Sequence, residues 1–244
     1  MEIKETNIEE VREYTKLLFD CYDISKCVNE EFGNIIISHP FSNSGFVGGQ
    51  DENGKLKMLN VVENEDDYKQ WRDRVFHGID KFTIKQIMFR LINNPYYLTW
   101  LSMIKDSLSL KDFSELFGEI WVSQENPNGD INVPIQESIT WFKEADKKYL
   151  MNKHDYKIYS DLPDKIELYR GVSPGRNLYG LSYTREYGKA RWFQDRFTTD
   201  ADKGYLIKII ANKEDVLAYF NTRGEEEIVL DTSLYLDEIY KQVC

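Results

Sequence analysis

Three short clusters in the last third of the chain hold side chains that could do chemistry together. They are Tyr169-Arg170-Gly171, Ser182-Tyr183-Thr184 and Glu225-Glu226-Glu227. An arginine at a strand end can grip phosphate or ribose oxygens with its planar fork, and a following glycine lets a ligand approach the backbone. The same arginine could instead form a structural salt bridge. Two carboxylates two residues apart can divide a glycosidic reaction between them. One stabilises an oxocarbenium-like transition state, and the other positions or deprotonates the incoming nucleophile. Taken alone, the acidic triplet reads more simply as an exposed turn. Ser182 and Thr184 suit either the orienting of a carboxylate or ordinary strand positions. Tyr183, Trp192 and Phe193 offer flat faces for stacking a base or nicotinamide ring, although aromatics at helical spacing more often pack a core.

These side chains need strands to present them. Ile166 to Arg170 and Gly180 to Thr184 alternate as strands, so Arg170 shares a face with Leu168 and Ile166, and Ser182 shares one with Thr184. Glu225 and Glu227 share a face if their strand begins early enough. Between the second and third clusters, Glu186 to Phe197 has helical spacing, with Thr184 placed to cap it. Gly204 to Ala211, Val216 to Phe220 and Glu227 to Asp231 read as further strands.

Upstream the pattern is mostly helical. Helices are expected over Ile8 to Tyr22, from Asp66 through Ile79, over Thr83 to Asn93 and Tyr97 to Leu108, and from Ser109 onward. Ile135 to Lys153 reads as one amphipathic helix. Ile35 to Ile37 is a short strand, Phe41 to Gly49 a loop, and Asp51-Glu52-Asn53-Gly54 a hairpin turn leading into Lys55 to Val62. Glu125 to Asp130 is the strongest loop signal. Helices first and strands later give an α+β class. No glycine-rich dinucleotide fingerprint or phosphate loop is present, which argues against a Rossmann unit or a P-loop.

Composition narrows the setting. The chain has 244 residues, enough for one generous core or two small ones, and 41% hydrophobic residues, as a folded protein requires. No apolar run reaches bilayer length and the N-terminus lacks a signal-like apolar segment, so a cytoplasmic location without membrane association is expected. Cys21, Cys27 and Cys244 form no disulfide framework or zinc pattern, and no metal is expected. His39, His77 and His154 read as ordinary core or surface histidines, without a Ser-His-Asp or Cys-His set. The formal net charge of −11 disfavours nonspecific polyanion binding. Between Lys165 and Phe197, however, seven cations face three carboxylates, a local excess suited to an anionic ligand.

The order of the three clusters resembles the arginine–serine–glutamate, cholera-toxin-like class of the mono-ADP-ribosyltransferase superfamily. Arg170 matches the arginine of the first core strand. Ser182 and Thr184 match a Ser-Thr-Ser strand loosely, with Tyr183 in place of its central Thr. Glu225 and Glu227 match the Glu-x-Glu that precedes a hydrophobic strand, here Ile228-Val229-Leu230. The likeness covers about Leu162 to Asp231. It implies a split β-sheet core with a preceding helical lobe, a catalytic domain over 111–244, and a mainly helical region over 1–110 of unassigned role.

NAD would be the co-substrate. Arg170 would hold its phosphate and ribose region, with Gly171, Ser182, Tyr183, Thr184 and Phe193 also in the cofactor site. Ser182 would orient Glu227, Glu227 would stabilise the oxocarbenium ion, and Glu225 would help the acceptor attack. Arginine on a protein is the first acceptor to expect and an RNA or DNA base the second. The resemblance also suggests a toxin-like effector, from a toxin–antitoxin pair or phage defence, with an inhibitor or antitoxin protein as a partner. An NAD glycohydrolase and a non-catalytic protein-binding module are the alternatives. The short interval from Arg170 to Ser182 leaves little room for a long NAD-covering loop. The reading requires Arg170, Ser182 and Glu227 to converge on one cleft.

Overall fold

The computed structural model describes residues 4–127, 130, 132–222 and 224–243. Arg223, Asn128, Gly129 and Cys244, which the motif, loop and cysteine readings above include, lie outside the described residues. The chain is α+β and divides into two compact units, 1–109 and 110–244. Among the described residues no helix is long and apolar enough to cross a membrane.

The first unit packs helices α1 (Ile8–Asp20), α2 (Glu65–Lys81), α3 (Ile84–Leu91) and α4 (Tyr97–Ile104) with two small hairpins. The hairpins are β1 (Val28–Asn29) with β2 (Gly33–Ile37), and β3 (Phe46–Gln50) with β4 (Leu56–Asn60). The segment expected to be loop at Phe41 to Gly49 therefore ends in a strand. Two glycines obscured it, and Gly49 is required because a side chain there would overlap Leu59 of the partner strand. The turn behaves as expected: Asp51 accepts from the N–H groups of Asn53 and Lys55, and Gly54 takes a φ of 77°. Thr83 starts a new helix rather than continuing α2, because Thr83 and Gln86 form a reciprocal capping box.

His39 lies at the centre of this unit, fully buried, with the rings of Phe19 and Trp71 at 4.8 and 5.1 Å. Its Nδ1 accepts from the Phe41 N–H. Burial pushes the imidazole pKa down to about 4, against partial opposition from the Phe19 and Tyr22 backbone. Below about pH 6.5 the unfolded chain takes up a proton that the folded unit refuses until about pH 4. Stability should fall as pH drops through that window, by at most about 1.4 kcal/mol per pH unit. Thermal melts across the window should show a shallower acid slope for His39→Gln than for the native chain.

The second unit opens with four helices, α5 (Leu110–Ser123), α6 (Ile135–Glu144), α7 (Lys147–Leu150) and α8 (Lys153–Ser160). The single helix expected over Ile135 to Lys153 is thus two, α6 and α7, and ends where α8 begins. Asp146 and Asn152 each cap a new helix, their side-chain oxygens accepting from the backbone N–H groups of Lys148 and Asp155 respectively. Phe142 packs against Phe117 at 4.5 Å and Trp121 at 4.7 Å. Gly118 brings α5 against the Leu150 backbone, where any Cβ would collide.

An antiparallel five-stranded sheet follows, built from β5 (Lys165–Val172), β6 (Ser182–Thr184), β7 (Tyr205–Asn212), β8 (Val216–Phe220) and β9 (Glu227–Leu230). Its order is β7-β5-β6-β9-β8. Helix α9 (Tyr187–Asp195) packs on β5, and α10 (Leu236–Val243) lies beside edge strand β7. The Gln242 side chain accepts from the Lys208 N–H and donates to its carbonyl, both at 2.8 Å. It thereby occupies one residue of an edge that would otherwise invite another strand.

Candidate active site

The three motif strands are neighbours. Arg170 stands on β5, Ser182 and Thr184 on β6, and Glu227 opens β9, with β6 between the other two. All four residues line one open cleft. Glu225, Tyr169, Gly171, Tyr183 and Phe193 line it as well.

Arg170 reaches this cleft by an indirect route. Register pairs Tyr169 with Thr184 and Thr184 with Glu227, so those three share a face. Arg170, one residue on, leaves β5 toward the opposite face, where Tyr183 pairs with Ile228. However, β5 and β6 share only that one residue pair before they separate. The guanidinium sits where the sheet splits, donating to the carbonyls of Ser182 at 2.8 Å and Asn177 at 2.9 Å. Gly180 makes room for it, since a Cβ there would overlap the guanidinium.

The arginine is therefore a clamp on the cleft wall, and its hydrogen bonds go to carbonyl oxygens rather than to a carboxylate. Its Nε is buried without a hydrogen-bond partner. Burial lowers the guanidinium pKa, and the Tyr183 hydroxyl and the Glu227 charge partly oppose that shift. A buried cation with no ion-paired carboxylate among the described residues is electrostatically suited to an anion in the adjoining cleft.

Glu227 and Glu225 reach the cleft by different means. The strand begins at Glu227, so Glu225 lies outside it, and strand alternation does not put the two on one face. The intervening Glu226 adopts a φ of 50° in the left-handed region. Its N–H donates to the Asn221 side chain at 3.1 Å, while Asn221 is itself held by buried Asp155. Thr184 Oγ1 donates to the Glu225 carbonyl at 3.4 Å and accepts from the Glu186 N–H at 3.1 Å. Thr184 thus ties the acidic turn to the start of α9, although the N-cap position is Glu186. On the helical side, the indole N–H of Trp121 donates to Glu227 Oε1 at 3.0 Å.

Two aromatic and glycine assignments change character. Tyr183 is only 2% exposed, and its ring lies 6.0 Å from the Arg170 guanidinium carbon, so it packs on the clamp instead of presenting a free face. Burial also raises its phenol pKa. Gly171 lines the cleft, but the space left by its missing side chain is filled by the Ala190 carbonyl and the Gln194 N–H of α9. Its first role is close helix packing rather than ligand approach. Gly171→Ala should cost about 1–3 kcal/mol by overpacking, read as a drop in thermal midpoint. If ligand approach were its only role, the melt would be unchanged.

Sequence reasoning missed several members of the cleft. Arg176 and Arg196 are exposed on its wall, and the guanidinium of Arg196 lies 5.4 Å from the Trp192 ring and 4.7 Å from the Phe197 ring. The local basic excess signalled these arginines as a group without singling them out. Phe197 lines the mouth with a φ of 66°, an uncommon conformation for a bulky residue. Trp121 had no signal, because its partner lies 106 residues away in sequence. Family models, curated proteins and solved structures yield no match to this chain.

Proposed function

We propose that this protein is an NAD-dependent mono-ADP-ribosyltransferase whose core is the split five-stranded sheet. The observation that carries the reading is that Arg170, Ser182 and Glu227 stand on adjacent strands and line one cleft with Glu225. Its wall combines buried Arg170 with exposed Arg176 and Arg196, cations of the kind that bind a pyrophosphate.

Glu227 stabilises positive charge at the ribose anomeric carbon as its bond to the nicotinamide nitrogen breaks. The bonding pair leaves with nicotinamide, which becomes neutral. The acceptor nucleophile then bonds the anomeric carbon, and Glu225 takes or guides the proton it loses. Arg170 contributes charge and holds the β6 side of the cleft in place. Protein arginine is the first acceptor to test, and a nucleic-acid base the second.

The test is incubation of the protein with adenine-labelled NAD and cell extract. Label should enter a macromolecule, and protease or nuclease sensitivity then identifies its class. Free labelled ADP-ribose without macromolecular label would identify water as the acceptor and a glycohydrolase instead. Unconsumed NAD would oppose both enzymes.

A further inference from the structure

We infer that Trp121 is a positioning residue for Glu227, helping to hold the carboxylate in its working orientation through the indole N–H. This deepens the reading just given and rests on it. Glu227 is the first residue of β9, its backbone paired with Thr184 of β6 and Phe220 of β8, but sheet pairing fixes the backbone and not the carboxylate at the end of the side chain. A glutamate side chain has three rotatable bonds and needs an external contact to fix the plane of its carboxylate. Trp121 provides one at 3.0 Å, in the hydrogen-bonding range for an ionised acceptor.

The donor is itself rigid. Trp121 is 1% exposed, and its ring is wedged edge-on against Phe117 at 6.1 Å and Phe142 at 4.7 Å. Gly118 brings its helix against the Leu150 backbone, which fixes the element that carries the indole. An indole has one N–H donor and no acceptor, so the contact has a single polarity. It belongs to the helical segment that precedes the sheet, which gives that segment a role in the chemistry beyond covering the core.

Trp121→Phe removes the N–H and keeps an aromatic ring. In the variant, kcat for nicotinamide release should fall about 10- to 100-fold with KM changed less than about twofold, as a misplaced stabilising group predicts. A second measurement does not depend on turnover or on the fold of that variant. In the nitrogen-labelled native protein the Trp121 indole N–H resonance should lie downfield, and it should move upfield in Glu227→Gln, where a neutral acceptor replaces the charged one. Unchanged kcat in a folded Trp121→Phe protein, or an indole resonance indifferent to Glu227→Gln, would overturn the inference. If the resonance follows Glu227 while no preparation releases nicotinamide, the positioning contact stands and the NAD reading falls.

Discussion

Glu227→Gln should lower kcat for nicotinamide release by about 100- to 1000-fold while leaving the thermal midpoint within a few degrees of the native value. The rate effect follows from the charge. An amide of the same shape still accepts from Trp121 but does not neutralise a cation developing at the anomeric carbon, and losing one preorganised electrostatic contact typically costs this much. The small stability effect follows from location, because Glu227 sits at the end of β9 with its side chain toward an open cleft. Nicotinamide release and a melt on the same preparation therefore separate chemistry from folding. A variant as fast as the native protein would remove Glu227 from the proposed mechanism.

Arg170→Lys should show a different mixture, with effects on both stability and NAD binding. A lysine ammonium carries the same charge but cannot span the Ser182 and Asn177 carbonyls as the planar fork does. Losing one of these part-buried hydrogen bonds costs about 0.5–1.5 kcal/mol, which a denaturant titration would resolve. With the 177–182 segment loosened, the wall that carries Ser182 shifts, and KM for NAD should rise about 10-fold or more. Lower stability with unchanged KM in the folded variant would assign Arg170 to the scaffold alone.

These predictions mark where the sequence was readable. Strand β5 was legible because its inward residues alternate, as in apolar Ile166, Leu168 and Val172 with Arg170 on the same buried face. The α+β class followed from the order of helices and strands. Helix boundaries were less legible where a polar residue competes for the backbone: Asp146 and Asn152 look like solvent-facing helix residues until their side chains are seen capping the next helix. Strand β3 was hidden because its glycines lack the side chains that alternation counts.

At the site, residue types and their order named Arg170, Ser182, Glu225 and Glu227, but periodicity alone misjudged how they meet. Perfect alternation would separate Arg170 from Glu227. The single-pair junction of β5 and β6 lets the guanidinium turn into the split instead. A left-handed Glu226, rather than a longer strand, carries Glu225 to the cleft. Gly171 was legible as a required glycine, yet its reason, the backbone of α9, depends on a contact across 19 or more positions of chain that no local pattern reveals. The Trp121 contact is longer-ranged still.

The most direct measurement is a crystal structure of Glu227→Gln soaked with NAD, which the slowed reaction should preserve intact. The account predicts NAD in this cleft, with its pyrophosphate against the Arg170, Arg176 and Arg196 wall and its nicotinamide-ribose anomeric carbon about 3–3.5 Å from the residue 227 side chain. An empty cleft at saturating NAD, or a dinucleotide bound with that carbon turned away from residue 227, would contradict it.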